Sequence, residues 1–140
     1  MVTIDTSTEF GTRVADRLEN EAIIWLTTVD RGGTPQPVPV WFLWTDAEFL
    51  IFSQPNTPKL RNTARNPRVS LNFHGTETGG NIVVFTGNAQ FGDVSPTPEE
   101  MDAYNAKYID AMGHMDYTPE AFVAEYSVPI RVTPGKLRGF

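Results

Sequence analysis

The sequence predicts an α+β fold, a small and mostly antiparallel β-barrel with short helices, from three observations. Segments rich in β-branched and aromatic residues alternate with turn signals along most of the chain, which predicts six or seven strands. Helical segments are few and interrupt this series, as in α+β domains. The chain has 140 residues and no internal repeat, so a single domain over residues 1–140 is expected.

The chain begins with a helix and a hairpin. Apolar side chains recur every four residues after Thr8, a suitable N-cap, and predict an amphipathic helix. These side chains belong to Phe10, Val14 and Leu18. A strand is predicted over residues 23–29, and residues 30–33 (Asp-Arg-Gly-Gly) have the composition of a tight turn.

The next predicted strand, residues 34–44, carries prolines at alternate positions. Pro35, Pro37 and Pro39 have no N–H group and share one parity. The start of this strand is therefore predicted to lie at a sheet edge, or to direct its amides away from a neighbour. The face that carries Gln36 and Val38 is then free to meet something other than a strand.

The remaining elements follow from the same kinds of signal. A short helix is predicted over residues 57–64, because Thr57 is a good N-cap and Pro58 suits the first helical position. A later helix opens at residues 95–100, and a helical turn is predicted over residues 119–125. The apolar stripe of the later helix, which predicts a core-facing side, consists of Met101, Tyr104, Tyr108 and Met112. The other strands are predicted at residues 49–53, 68–74, 81–94 and 126–132, with Gly87 or Gly92 as bulge points in the long one.

Charge is distributed unevenly along this acidic chain. Eleven Lys and Arg residues face seventeen Asp and Glu residues, for a net charge of −6, which excludes binding of nucleic acid through phosphate neutralisation. Residues 49–76 nevertheless contain no acid, and no acid follows Glu125. The cations of these two segments are Lys59, Arg61, Arg65, Arg68, Arg131, Lys136 and Arg138. Either they are polar positions of solvated strands, or they form a local site for an anion.

The segment from Ser53 to Arg61 is the best candidate for such a site. A strand is predicted to end at Ser53 and a helix to begin at Thr57, so two hydroxyls lie beside free backbone N–H groups and the positive end of a helix dipole. Lys59 and Arg61 add full charges to the same turn. Such a cluster is suited to a phosphate, although a capped helix with solvated cations has the same sequence pattern.

Other chemistries find little support. The chain has no cysteine, so disulfides, thiolate metal sites and a cysteine nucleophile are excluded. His74 and His114 are far apart without a ligand pattern, and no Gly-x-Ser-x-Gly elbow is present, so neither a metal site nor a hydrolase is predicted. No apolar run is long enough for a membrane helix and no signal peptide is recognisable, so a cytoplasmic protein without a membrane partner is expected.

Several of these pieces together resemble a known family. They are the Asp30-Arg31-Gly32-Gly33 turn, the segment Thr34-Pro35-Gln36-Pro37-Val38-Pro39-Val40-Trp41-Phe42, the pattern Thr57-x-Lys59-x-Arg61-Asn62, Asn66-Pro67-Arg68-Val69, and the ending from Ile130 to Phe140. In this order they resemble the pyridoxamine 5′-phosphate oxidase-like split-barrel proteins. The resemblance is strongest to the actinobacterial branch that uses the deazaflavin coenzyme F420.

The resemblance implies a split β-barrel homodimer with cofactor sites at the subunit interface. Its cofactor phosphate would be held by Ser53, Thr57, Lys59 and Arg61. The deazaflavin ring would lie against the strand that contains Gln36, Pro37, Val38 and Pro39. The resemblance also implies Trp41 and Gln54 as site residues, although either residue fits a packing or loop role equally well.

The implied activity is transfer of a hydride between the reduced deazaflavin and an electron-poor double bond of a small organic substrate. The cofactor would carry the difficult chemistry, which accounts for the lack of an acid–base constellation. His74, Tyr117 and Tyr126 are conceivable proton donors. Two alternatives stay open: an FMN-dependent oxidase of the same superfamily, and a carrier or sensor that binds a flavin, a deazaflavin or haem without turnover.

Overall fold

Seven antiparallel strands form one sheet, accompanied by four helices, in the computed structural model, which describes residues 1–140. The helices are α1 (Glu9–Asn20), α2 (Pro58–Arg65), α3 (Pro98–His114) and α4 (Pro119–Glu125). The strands are β1 (Ile24–Val29), β2 (Pro35–Val40), β3 (Leu43–Thr45), β4 (Glu48–Ser53), β5 (Arg68–Asn72), β6 (Val83–Phe91) and β7 (Val128–Gly139).

The sheet curls into a half-barrel in the strand order β2-β1-β5-β6-β7-β4-β3. Its inner face carries an 18-residue apolar core that includes Leu26, Phe49, Leu71 and Phe85, all fully buried. Although β2 and β4 are distant in the strand order, Val40 and Phe52 line one cavity, so the curl brings the ends of these strands together. The predicted α+β split-barrel fold is confirmed.

Threonine caps begin three of the helices, and the cap at Thr8 is predicted from the sequence. Thr8 accepts a hydrogen bond from Gly11 N (2.9 Å), and Thr118 accepts one from Ala121 N (3.1 Å). Thr97 forms a complete capping box with Glu100. The fourth helix differs: Thr57 occupies the N-cap position of α2, with Pro58 after it, but its side chain makes no capping hydrogen bond.

Two strand predictions need correction. The predicted strand over residues 34–44 breaks at Trp41 and Phe42, because the backbone of Phe42 bonds to side chains of α3 instead of to a strand. Phe42 N donates to the Tyr108 hydroxyl (2.9 Å), and Lys107 Nζ donates to Phe42 O (2.9 Å). The edge position of β2 is confirmed.

The last strand does not end at residue 132 as predicted but continues to Gly139. Its register against β6 shifts between Thr86 and Gly87, which accommodates the Pro134-Gly135 pair beyond residue 132. Gly87 is required there, since a Cβ at this position would lie 2.2 Å from Thr133 O. Of the two predicted bulge points in β6, the structure uses Gly87.

A second, smaller core places α3 and α4 against the outer side of β4. Tyr104, Tyr108 and Met112 of the predicted α3 stripe are buried there, as expected, together with Phe52 and Phe122. On the other side of β4, α2 is fixed to β1 by a buried hydrogen bond from Asn62 Nδ2 to Thr28 Oγ1 (3.0 Å). The end of β4 therefore lies between α2 and the α3–α4 pair.

Candidate functional site

Two hydroxyls face each other where β4 ends and α2 begins. Ser53 is fully buried, and its Oγ lies 2.9 Å from Thr57 Oγ1. Ser53 Oγ also donates to Gln54 O (2.7 Å). In the first turn of α2, Pro58 has no N–H and Leu60 N donates to Thr57 O (3.1 Å), so the Lys59 amide is the one left available to a ligand, beside the two paired hydroxyls.

The cations of α2 have no carboxylate partner. The chain forms three ion pairs, and all of them involve Arg17 or Arg131. Arg61 donates to Asn56 O, and Arg65 donates to Asn62 Oδ1 (2.8 Å), both uncharged acceptors. The positive charge at this helix is therefore uncompensated by any acid in ion-pair contact, as an anion site requires.

Backbone acceptors without donors line the free edge of β2. Asp30 N donates to Thr34 O (3.0 Å), which sets the parity of the β1–β2 ladder. By this parity the ladder bonds fall on residues 36, 38 and 40, and the carbonyls of Pro35, Pro37 and Pro39 point away from β1. No strand lies beyond β2, so this edge offers hydrogen-bond acceptors alone.

The side chains of Gln36 and Val38 have structural partners. Gln36 Nε2 donates to Asp30 Oδ2 (3.0 Å), and Val38 packs against the main core. The pKa of Asp30 lies below its usual range, first through the hydrogen bond from Thr34 N, then through that from Gln36, with a smaller contribution from the charge of Arg65. The far end of α2 thus lies near the Asp30 turn.

A cavity of about 210 Å³ lies between β2, the start of α2, and the α3–α4 pair. We call it the aromatic pocket, because its walls include Trp41, Phe52, Tyr104, Phe122 and Tyr126. Pro39, Val40, Met115 and Lys59 complete the lining. Lys59 is its one charged residue, and burial lowers the pKa of the Lys59 ammonium.

Stacked rings hold the pocket wall in place. Trp41 stacks on Tyr108 with 4.5 Å between ring centroids and on Phe122 with 5.2 Å. Phe122 in turn stacks on Tyr126 with 4.5 Å. Trp41 therefore packs against the helices and also lines the pocket.

Gln54 joins the end of β4 to α4. Its Nε2 donates to Glu125 Oε1 (3.0 Å), and the Tyr117 hydroxyl donates to the other oxygen of Glu125. This hydrogen bond raises the pKa of Tyr117 to about 12. Of the three conceivable proton donors, Tyr126 lines the aromatic pocket, Tyr117 is engaged with Glu125, and His74 is exposed at the end of β5.

The structure thus brings Pro39, Trp41 and Lys59 to one cavity and places Ser53, Thr57 and Arg61 at the adjacent helix start. Sequence reasoning missed the contribution of Tyr104, Met115 and Phe122 to the pocket. Their apolar spacing indicates burial, but it does not distinguish a packed core from a cavity wall. No group of three or more acidic or histidine side chains is arranged to hold a metal, and none of the helices could cross a membrane.

Solved structures with this architecture carry different functions. The haem storage protein HutZ from Vibrio cholerae is 14% identical, with a TM-score of 0.70 over 94% of this chain and 95% of that one. A putative pyridoxamine 5′-phosphate oxidase from Listeria innocua is 20% identical, with a TM-score of 0.64 over 91% and 94%. An F420 reductase is 23% identical, with a TM-score of 0.61 over 88% and 94%. At these identities the likeness shows the fold alone.

The family follows from the sequence itself. The model of the pyridoxamine 5′-phosphate oxidase family matches residues 10–138. This range contains all four helices except the first residue of α1, and all seven strands except the last residue of β7. No functionally curated protein matches the chain. The chain therefore belongs to the pyridoxamine 5′-phosphate oxidase family.

Proposed function

We propose that this protein is an oxidoreductase that uses coenzyme F420 to transfer a hydride to an electron-poor double bond of a small organic substrate. The observation that carries the proposal is the start of α2, where cations without carboxylate partners adjoin two hydroxyls and the free amide of Lys59. The resemblance to the F420-using branch, noted from the sequence, agrees with it.

The residues present fit such a cofactor. Its phosphate would meet the hydroxyls of Ser53 and Thr57 and the charges of Arg61 and Lys59. Gln54 lies in the loop between Ser53 and Thr57, which its hydrogen bond to Glu125 ties to α4. Ring N–H groups of a deazaflavin would find acceptors at the β2 edge, where Pro37 and Pro39 present carbonyls. When bound and reduced, the deazaflavin supplies the hydride, and the protein orients the two reactants.

We also propose that the protein is a homodimer, joined through the outer face of β2, β1, β5 and β6. Trp25 on this face is 39% exposed, with Pro39 directly opposite it in the ladder and Pro37 diagonal to it on the same face. The neighbouring outward residues Thr27, Ser70 and Thr86 line a shallow cleft of about 610 Å³, in which Arg68 is the one charged residue. A large exposed apolar residue on a face of low charge is typical of an interface.

The cofactor is tested by titrating the purified protein with coenzyme F420, FMN and haem. We expect F420 to bind most tightly, and its reduced form to be oxidised when an activated alkene is added. Tight FMN binding without a response to F420 would instead support the FMN-dependent oxidase. Binding of any of the three without substrate-dependent oxidation would support the carrier.

The dimer is tested by measuring the molecular mass in solution at micromolar concentration. We expect twice 15.6 kDa for the wild-type protein and a monomer for Trp25→Glu, which places a charge in the proposed interface. A wild-type monomer would contradict the dimer and, with it, any contribution of a partner subunit to the site.

A further inference from the structure

A groove of about 790 Å³ lies between α1, β3 and α3 and shares no residue with the aromatic pocket. We call it the α1–α3 groove. We propose that it binds a fatty acid, a monocarboxylate with a flexible apolar chain, and that the carboxylate pairs with the ammonium of Lys107. This would be a second ligand site, because neither the start of α2 nor the free edge of β2 contributes to it.

Short and apolar side chains from three elements form the walls of this groove. They are Ala15 and Leu18 from α1, Leu43 and Trp44 from β3, and Ala103 and Ala106 from α3. Alanine side chains are too short to close the space between two helices, so they leave room for a ligand chain. The volume falls within the roughly 300–1,000 Å³ of ligand pockets. Methylene groups gain burial on such walls without needing a hydrogen-bond partner, which favours an alkyl chain.

Lys107 is the one cation of the lining, and it has no anionic partner. Its Nζ donates to Phe42 O (2.9 Å) and lies 3.7 Å from the centroid of the Phe42 ring, so the ammonium is held in place. None of the three ion pairs of the chain includes it. An ammonium has three N–H donors, and Phe42 O is its one hydrogen-bond acceptor within the chain, so two donors remain for a ligand.

The acids near Lys107 do not take the place of such a ligand. Glu19 lines the groove but is exposed and forms no ion pair. Glu21 raises the pKa of Lys107 through its charge, but its carboxylate pairs with Arg17 Nε at 3.1 Å. Burial outweighs this charge and lowers the pKa of Lys107 to about 8. A ligand carboxylate in direct contact would oppose the effect of burial and keep Lys107 charged.

The polar end of the groove suits a singly charged head group. Glu19, Asn20, Ala103 and Ala106 are exposed, so the groove opens to solvent and a bound carboxylate keeps part of its hydration. This limits the desolvation that makes a fully buried ion pair costly. A phosphate, with more acceptor oxygens and more charge, would need further cationic donors that the lining does not contain.

Calorimetric titration of the cofactor-free protein with octanoate tests both parts of this ligand. We expect octanoate to bind, and hexanoate, which has two fewer methylene groups, to bind roughly fifteenfold more weakly. Octanol has the same chain without the charge and should bind at least tenfold more weakly than octanoate. If octanol binds as tightly as octanoate, Lys107 does not pair with the carboxylate and the proposal is overturned.

Two substitutions locate the fatty acid. Lys107→Met keeps the length of the side chain but loses the charge, so octanoate should bind at least tenfold more weakly. Ala103→Trp fills the groove from an exposed position and keeps Lys107, so it should abolish octanoate binding. The matched controls are Lys136→Met on β7 and Ala124→Trp on α4, both at exposed positions outside the groove, and they should bind octanoate like the wild type. Urea denaturation checks that each variant is folded.

The proposal is overturned if octanoate does not bind the wild-type protein, or if Lys107→Met or Ala103→Trp binds it like the wild type. Lys59 is the other partly buried lysine, and it lines the aromatic pocket. If Lys59→Met loses octanoate binding while Lys107→Met keeps it, the fatty acid lies in the aromatic pocket and the α1–α3 groove is not its site. None of these measurements requires a cofactor, so their outcome does not depend on whether F420 binds.

Discussion

Arg131 on β7 and the cations of α2 represent two different uses of positive charge in one small protein. Arg131 forms a bidentate pair with Glu100, with N–O distances of 2.7 and 3.0 Å, and a longer pair with Glu48 at 3.8 Å. It also donates to the carbonyls of Val94 and Ser95, and so fixes the chain between β6 and α3. Lys59 and Arg61 have no carboxylate in ion-pair contact.

The difference teaches which charges the fold itself uses. A cation taken partly out of water loses solvation, and for Arg131 the carboxylates within the chain offset that loss. No carboxylate within the chain offsets this loss for Lys59, and the loss of solvation lowers the pKa of its ammonium. Charges that are held in place without compensation are expected where a ligand supplies the compensation.

The largest effect is expected when the Arg131 network is broken. Glu100 is 8% exposed, so Glu100→Gln removes the charge and one acceptor oxygen that a largely buried guanidinium pairs with, and it should lower the free energy of unfolding by about 3 kcal/mol. Urea denaturation at neutral pH measures this loss. Because the network is remote from α2, F420 affinity of the folded variant should be unchanged, and a large change in affinity would contradict the division between the two regions.

The same pair gives the wild type a defined acid sensitivity. Hydrogen bonds from Arg131 hold the pKa of Glu100 at about 2, below its value in the unfolded chain. A carboxyl with a depressed pKa contributes stability above its unfolded pKa, and that contribution is lost as the pH falls toward 2. Unfolding measured across the range from neutral to acid should therefore show a smaller loss of stability in Glu100→Gln than in wild type.

A matched pair of threonines gives the next largest effect. Thr97 caps α3, so Thr97→Val should lower the free energy of unfolding by about 1 kcal/mol and leave F420 binding unchanged. Thr57 caps nothing but shares a hydrogen bond with Ser53, so Thr57→Val should lower stability by less than Thr97→Val does, and should weaken F420 binding by roughly 1 kcal/mol through loss of a hydrogen bond. Urea denaturation and F420 titration of both variants measure the contrast, and equal stability losses would contradict it.

Local signals were enough to predict most of the fold. Thr8, Thr97 and Thr118 precede helices, and alternating or β-branched segments became strands, because these preferences act within a few residues. The errors have a non-local cause. The strand over residues 34–44 breaks because Tyr108 and Lys107, far along the chain, bond to Phe42, and β7 passes Pro134 because β6 holds it there.

The candidate site could be predicted only in part, for a similar reason. The helix start with Ser53, Thr57 and Arg61 is local, and its signals are adjacent in the sequence. The aromatic pocket joins Pro39 to Phe122 and Tyr126 across most of the chain, and only the folded chain shows the cavity between them. Lys59 likewise has its backbone in α2 and its side chain in the pocket. The spacing of residues in the sequence does not define this side-chain direction.

The smallest expected effect compares the two partly buried lysines by their pH dependence. Burial lowers the pKa of Lys107 to about 8, whereas an unfolded lysine titrates near roughly 10.4. Between these values the unfolded chain binds the proton that the folded chain has released, so stability should rise with pH, by less than about 1 kcal/mol since the group is partly exposed. Urea denaturation between pH 8 and pH 10 should show a smaller rise in Lys107→Met.

Lys59 contributes to the same rise, because burial also lowers the pKa of its ammonium. The two lysines should then separate when F420 is bound. An anionic ligand at α2 restores the charged form of Lys59 and removes its part of the pH dependence, but it leaves that of Lys107, whose partners are Phe42 O and the Phe42 ring. In the Lys107→Met variant, the free energy of unfolding should rise less steeply with pH when F420 is saturating than when it is absent. If the rise is equally steep in both cases, Lys59 does not contact the anion. The uncompensated charge at α2 would then need another ligand.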